Sequence, residues 1–165
     1  MRIIRKVNQD EVWTHWKKVE NFNNDNFRSD IRDPLPLDLN WYLSILESTD
    51  INKIYVISSD DWKNEFLCVP DFKLLTALSN YKLFNYNIGK YKNICEKEAL
   101  FKNDKNVLDK KFIIVAPKQD GPFTVIEGNK RMIALANLGV LSDIEVFLGL
   151  SSRINDYKWA RYSKN

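Results

Sequence analysis

Hydrophobic positions in the first quarter of the chain follow the spacing of an amphipathic helix. In residues 9–20, Val12, Trp16 and Val19 fall on one helical face, and acidic residues stand near the positive N-terminal end. This spacing predicts a helix over residues 9–20. Comparable patterns predict four more helices, over residues 39–48, 71–81, 91–102 and 132–139.

Short apolar runs bounded by turn residues predict the strands. The run at 111–116 is almost continuously apolar, as in strands buried on both faces. It is followed by the turn pair Asp120-Gly121 and a second apolar run at 123–126, which together predict a hairpin. Two further strands are expected at 53–58 and 143–148. We therefore expect one α+β domain over 1–165, with a small mixed sheet surrounded by helices.

Two segments fit neither pattern. The Asn- and Asp-rich stretch after residue 20 indicates a long loop, in which Asn21–Asn26 with Phe27 and Arg28 could form a flap over a site. The tail, residues 150–165, mixes basic and aromatic residues. It is expected to be a terminal helix that packs its apolar residues on the core, and contact with nucleic-acid bases and phosphates is the alternative. The tail residues expected to pack on the core are Ile154, Tyr157 and Trp159.

The composition excludes several kinds of metal, redox and membrane-spanning site. The chain has 165 residues, 44% of them hydrophobic, and a net charge of +3 that permits an anionic ligand. A single histidine, His15, excludes multi-histidine metal sites, and Cys68 and Cys95 lack the spacing of zinc or redox pairs. No apolar run approaches the roughly 20 residues of a membrane span, and the N-terminus lacks the apolar region of a signal peptide. A soluble, cytoplasmic protein without a membrane partner is expected.

The strongest chemical signal is a polar cluster between the strand at 123–126 and the helix that follows. Gly128 allows a sharp turn and close approach of a ligand, and Asn129 suits the start of a helix. Lys130 and Arg131 add positive charge where the helix dipole is already positive, so this turn is a candidate phosphate site. Glu127 could hold a metal bound to the phosphates, accept a proton, or pair with Arg131. An Arg131→Ala variant is expected to lose the ligand with little change in apo stability.

The sequence from Phe123 to Gly139, FTVIEGNKRMIALANLG, resembles the strand–motif–helix signature of the ParB/sulfiredoxin-like superfamily. The resemblance extends over the core at 111–149 and says little about the divergent part at 1–110. It implies a nucleotide-binding site in which Gly128, Asn129, Lys130 and Arg131 hold the phosphates. It also implies ATP or CTP with Mg²⁺ as ligand, and Glu127 as the residue that positions the metal or a nucleophile.

Where the chain departs from this signature, some properties of the superfamily are not expected of it. Sulfiredoxin has a catalytic cysteine within the motif, whereas this chain has Gly128 and Asn129, so sulfinic-acid reduction is not expected. Many relatives carry histidine where Lys130 stands. About sixteen residues follow the last predicted strand, too few for the helix-turn-helix domain of partition proteins, so a stand-alone domain is expected.

Several functions remain open at this level. The first is nucleotide binding, with NTP hydrolysis or phosphoryl transfer if the protein is an enzyme. The second is a non-catalytic interaction or regulatory module of phage or mobile-element type, with a protein partner. The third is a nuclease or toxin-like effector that acts on nucleic acid. His15 is expected to be a packing or surface residue, and the Asp60-Asp61 pair a polar turn, with no certain metal ligand.

Overall fold

A computed structural model describes residues 1–22, 24, 26–68, 70–83, 89, 91–104 and 111–160. These residues form an α+β fold around one mixed six-stranded sheet with the order β1-β2-β6-β4-β5-β3. The strands are β1 Arg2–Val7, β2 Asn40–Leu46, β3 Ile54–Val56, β4 Phe112–Ala116, β5 Phe123–Glu127 and β6 Ile144–Leu150. The α+β class and the mixed sheet expected from the sequence are therefore confirmed.

Five α-helices and three shorter helical turns are present in the described ranges. The helices are α1 Gln9–Glu20, α2 Ser29–Arg32, α3 Leu74–Leu83, α4 Tyr91–Asn103 and α5 Asn129–Asn137. The turns are 3₁₀ at Ser48–Lys53 and Ser152–Asp156, and π-helical at Asp61–Glu65. No described helix combines the length and the hydrophobicity that crossing a membrane requires.

The centre of the sheet follows the predicted strands. Every residue of β4 and β5 is buried, as the continuous apolar runs indicated. The two strands pair antiparallel, which confirms the predicted hairpin, and Gly121 in the connection has φ +91°. β4 also pairs in parallel with β6, and β5 in parallel with the short strand β3. β5, which lies between β4 and the edge strand β3, leads directly into the turn before α5.

The predicted helix at 39–48 is wrong, because these residues form β2. β2 pairs antiparallel with both β1 and β6. Its buried residues include Trp41 and Leu43, two positions apart as on a strand, and Trp41 packs so closely on Gly149 of β6 that a Cβ there would lie 2.8 Å from the indole. A short apolar run fits either a helix or a strand, and here pairing with neighbouring strands decides.

Strand β1 is not predicted by the sequence pattern. It forms an edge of the sheet, and its basic residues Arg2, Arg5 and Lys6 are exposed. Such an edge strand buries few apolar side chains, so it lacks the alternating pattern by which strands are found, and its charges discourage pairing with other chains.

Helix α1 matches its predicted bounds. The Asn8 side chain accepts a hydrogen bond from the Glu11 amide at 2.8 Å and caps the helix. Val12 and Trp16 are fully buried, as the apolar face predicted. His15, on the same helix, lies 3.3 Å from the Lys111 carbonyl oxygen and packs against the Phe147 ring, so it has the packing position expected for it.

The segment after β6 packs on the core, but it is not the predicted α-helix. It makes one 3₁₀ turn, Ser152–Asp156, after which the Tyr157 hydroxyl donates to the Ile31 carbonyl oxygen at 2.7 Å. Ile154 and Tyr157 are buried, as expected. Burial raises the pKa of the Tyr157 hydroxyl, which is consistent with a structural role. The end of the predicted tail, 161–165, lies outside the described residues.

Candidate functional site

The turn between β5 and α5 requires a glycine. Gly128 has φ +92° and ψ 15°, a left-handed conformation that L-residues adopt at a cost. A Cβ at this position would lie 2.5 Å from the Phe112 ring and 3.1 Å from the Arg131 guanidinium. Gly128 therefore allows both the turn and the close packing of two neighbouring side chains.

Helix α5 begins at Asn129, three residues before its predicted start, so the polar motif forms the first turn of the helix. Gly128 is the N-cap, and among the described residues no side chain caps it by a hydrogen bond. The first amides of a helix lack intrahelical acceptors, and the helix dipole adds partial positive charge at this end. The motif therefore lies at the end of α5 where the helix dipole favours negative charge.

The Asn129 side chain has a structural role. Its Oδ1 accepts a hydrogen bond from the Ile57 amide at 3.2 Å, and its Nδ2 donates to the Val125 carbonyl oxygen at 3.1 Å. Asn129 therefore attaches the start of α5 to the segment after β3 and to β5.

Glu127 and Arg131 form a buried ion pair. An Arg131 Nη2 donates to a Glu127 Oε2, 2.5 Å away, and both side chains are less than 10% exposed. The guanidinium also lies over the Phe112 ring, 5.4 Å from its centre. Of the three roles expected for Glu127, pairing with Arg131 is the one observed. Arg131, expected as the principal phosphate ligand, thus has its charge balanced by a carboxylate of its own chain.

A cavity of about 680 Å³ opens in front of this turn and is lined by residues 126–131. Its described lining has five cationic and four anionic side chains, which gives a net charge of +1. The cationic residues are Lys18, Arg28, Lys97, Lys130 and Arg131. The anionic residues are Glu20, Asp30, Asp61 and Glu127.

The cavity lining includes two ion pairs, and Lys18, Lys97, Lys130, Asp30 and Asp61 line it as well. Glu127 is paired with Arg131, and Glu20 lies 3.7 Å from the Arg28 Nε. Burial and, to a smaller extent, the charges of Arg131 and Lys130 lower the pKa of Lys97, whereas Glu127 and Glu96 act in the other direction. Lys130 and Arg131 place cationic side chains in the first turn of α5, and Lys97 of α4 lines the same cavity.

Lys97 is a site residue that the sequence analysis missed. It lies on α4 with Asn93, one helical turn earlier, and both line the cavity. The buried positions of α4 include Tyr91, Ile94 and Phe101. The i, i+4 spacing of Asn93 and Lys97 is visible in the sequence, but only the packing of α4 against α5 shows that their face turns toward the motif.

Lys130 extends toward the π-helical turn after β3. Its ammonium lies 5.6 Å from the centre of the Phe66 ring, which stacks on Trp62 at 4.2 Å. Asp61 begins this turn and lines the cavity. The predicted turn at 58–61 is therefore followed by a short helical segment that forms one wall of the site.

The predicted flap meets the site only at its end. Arg28 lines the same cavity as the motif, together with Asp30 and Ile31 of the adjoining α2. Phe27, in contrast, is buried in the core, where it packs against Trp13 and Trp16. Within the predicted Asn21–Asn26 segment, residues 23 and 25 lie outside the described residues.

The remaining candidates do not add a second reactive centre. Burial raises the pKa of the Cys68 thiol to about 12, so this cysteine is not a reactive thiolate at neutral pH. Across the described ranges, no group of three or more His, Cys, Asp or Glu side chains could hold a metal ion. Asp60 is the N-cap of the π-helical turn and Asp61 is its first residue, so the predicted polar turn opens a short helical segment.

Comparisons with protein-family models, with curated proteins and with solved structures gave no match to this chain.

Proposed function

We propose that the cavity in front of α5 binds the phosphate groups of a nucleotide, in the manner implied by the resemblance to the ParB/sulfiredoxin-like superfamily. The observation that carries this proposal is the N-terminus of α5, where no described side chain forms a capping hydrogen bond, beside a cavity that Lys97 and Lys130 both line. Amide hydrogens and two ammonium groups form a binding site for negatively charged oxygen.

The electrostatics of Lys97 support this proposal. A lysine whose pKa is lowered by burial and by neighbouring cations is destabilised in its charged form. A bound polyphosphate would place negative charge between these cations and remove their repulsion. Binding and protonation of Lys97 would therefore reinforce each other.

The Glu127–Arg131 pair assigns both residues a positioning role in this site. Through its contacts with Phe112 and Glu127, Arg131 fixes the first turn of α5. One face of the pair lines the cavity, so its residual exposure allows a phosphate oxygen to approach the guanidinium. Lys97 and Lys130, not Arg131, would then supply most of the uncompensated charge.

The proposed ligand is ATP or CTP with Mg²⁺. Mg²⁺ is commonly held by one or two carboxylates, phosphate oxygens and water, and Glu127 and Asp61 are carboxylates on the cavity wall. Bound in this way, Mg²⁺ would neutralise charge on the phosphates during hydrolysis or transfer. Because Glu127 is held by Arg131, it would be an acceptor fixed in place that orients an attacking water.

Thermal-shift titration tests binding. Wild-type protein is titrated with inorganic tripolyphosphate, ATP, CTP and GTP, each with and without Mg²⁺. At a ligand concentration 100 times Kd the stability should rise by about 2.7 kcal/mol. The Lys97→Met/Lys130→Met variant should lose this shift, whereas Lys102→Met, on α4 outside the cavity lining, should keep it.

A separate assay tests turnover. Phosphate release from the bound nucleotide should fall in Glu127→Gln while the nucleotide-induced thermal shift persists. Binding without phosphate release in the wild-type protein would reduce the proposal to a nucleotide-binding switch. Metal-dependent cleavage of DNA or RNA, lost in the same variant, would instead favour the nuclease function.

The buried motif contacts favour one other function, a non-catalytic interaction module. The Glu127–Arg131 pair and the two bonds of Asn129 would stabilise this turn even if no ligand ever bound. In that case the charged cavity would receive an acidic segment of a protein partner. Absence of a thermal shift with every phosphate ligand would favour this module over nucleotide binding.

A further inference from the structure

We infer that Trp159 is the residue that contacts the base of the bound nucleotide, which makes the ligand a nucleoside phosphate and not a phosphorylated aliphatic compound. This inference rests on the proposed phosphate site and adds the recognition of the second half of the ligand. It depends on where the segment after β6 places an aromatic ring.

Trp159 and the motif are joined through one short segment after β3. The Ile57 amide donates to the Asn129 Oδ1 at 3.2 Å, and the next amide, that of Ser58, donates to the Trp159 carbonyl oxygen at 3.0 Å. Consecutive Cα atoms are about 3.8 Å apart. The start of α5 and Trp159 are thus attached to neighbouring residues, and both line the same cavity.

The indole ring of Trp159 is held in place. Its Nε1 donates to the Asp30 carbonyl oxygen at 2.9 Å, and the ammonium of Lys158 lies 4.6 Å from the ring centre. Trp159 is half-buried and packs on the core, and it is among the residues that line the cavity. A ring fixed before binding loses little entropy when a ligand stacks on it.

The chemistry of the wall around this ring suits a flat, partly polar group. The lining of the cavity includes the apolar residues Ile31 and Ile57 and the polar residues Asp30 and Ser59. A nucleobase combines an aromatic face with hydrogen-bonding edges, so it can use both kinds of contact. An aliphatic phosphate ester would leave the indole without a stacking partner.

The experiment compares ligands with and without a base on the full chain. Kd values are measured for tripolyphosphate, ATP and CTP with wild-type, Trp159→Ala and Trp159→Phe proteins. Trp13→Phe, which alters a part-buried tryptophan outside the cavity lining, is the control. Because stacking contributes about 1–3 kcal/mol per base, Trp159→Ala should weaken nucleotide binding about tenfold and leave tripolyphosphate binding unchanged.

Tryptophan fluorescence provides a second test, which does not depend on the folding of the Trp159→Ala variant. Nucleotide should quench tryptophan emission in the wild-type and Trp13→Phe proteins, and the quenching should be lost in Trp159→Phe, which retains an aromatic ring. Equal affinities of tripolyphosphate and nucleotides in the wild-type protein would overturn the inference and leave the phosphate site standing. Failure of every phosphate ligand to bind would overturn the proposed function itself. Tighter binding of an oligonucleotide than of mononucleotides would overturn the assignment to a mononucleotide.

Discussion

Gly128 joins β5 to α5 with a backbone conformation and a packing distance that both exclude a side chain. Two effects are therefore combined at this residue, the cost of a positive φ and the clash with Phe112. Gly139 offers a way to separate them, because it has φ +70° but no neighbouring atom within 4 Å of the position that a Cβ would take.

A Gly128→Ala variant should be destabilised by more than Gly139→Ala. The positive φ costs about 1–2 kcal/mol at either position, and Gly128→Ala adds the clash with a buried ring. Urea denaturation of both variants measures the difference. Equal losses of stability would contradict the packing described for this turn.

The buried ion pair changes the effect that replacing Arg131 is expected to have on stability. Removing one partner of a buried ion pair leaves the other charge uncompensated, which costs about 3–5 kcal/mol. Arg131→Ala should therefore destabilise the apo protein strongly, in contrast to the small change expected from the sequence. The double variant Glu127→Leu/Arg131→Met should recover most of this loss, because apolar side chains can replace such a pair. Thermal or urea denaturation checks both, and an unaltered Arg131→Ala protein would contradict the observed pairing.

Lys97 should link stability and binding to pH in opposite ways. Its pKa lies below the ordinary 10.5 because of burial and the charges of Arg131 and Lys130, against which Glu127 and Glu96 act in the other direction. The cost of its charge in the apo fold is fully present below the lowered pKa and disappears as pH rises to 10.5. Lys97→Met should thus stabilise the apo protein at pH 7 and weaken tripolyphosphate binding.

The pH dependence of tripolyphosphate binding provides a control for the prediction about Lys97. Wild-type affinity for tripolyphosphate should fall as pH rises through the lowered pKa of Lys97, and this part of the pH dependence should be absent in Lys97→Met. Calorimetric titrations at several pH values would measure it. Identical pH profiles for the two proteins would show that Lys97 does not face the ligand.

At the scale of elements, the sequence predicts best where burial is uniform. The apolar runs of β4 and β5 and the Asp120-Gly121 turn predict the hairpin, and the apolar face of α1 predicts its bounds. The β2 segment is predicted as a helix because a short mixture of apolar and polar residues suits both periodicities. Only its pairing with β1 and β6 resolves this ambiguity, and pairing is not a local property.

Asn129 connects three elements of the site, so replacing it should lower the stability of the fold. Asn129→Ala would leave the Ile57 amide and the Val125 carbonyl without this partner in a buried region. We expect a loss of about 1–3 kcal/mol in the free energy of unfolding. Asn40→Ala, which removes an exposed side-chain bond to Asp38, serves as the control and should be nearly neutral. Equal effects of the two substitutions would contradict the structural role of Asn129.

At the scale of the whole molecule, the site combines segments that are far apart in sequence. The position of the motif could be predicted, because Gly, Asn, Lys and Arg between a strand and a helix are typical of few kinds of site. Lys97, Arg28 and Trp159 reach the cavity from α4, from the loop before α2 and from the segment after β6. Their contribution depends on tertiary packing, which no local pattern in one sequence records.

The same packing explains why the role of Arg131 differs from the one expected. An Arg four residues after a Glu favours an ion pair across one helical turn, but here the two residues lie on either side of a glycine turn. Whether they face each other or the cavity depends on the left-handed geometry of Gly128 and on the position of Phe112.

The central claim, that the N-terminus of α5 with Lys97 and Lys130 binds phosphate, is tested most directly by calorimetric titration of the full chain with inorganic tripolyphosphate. Titrations of wild-type, Lys97→Met/Lys130→Met and Lys102→Met proteins are compared at one pH and ionic strength. Saturable binding to the wild-type and Lys102→Met proteins, lost in the double variant, is the predicted result. No binding to a folded wild-type protein, or equal binding to all three, would contradict the claim.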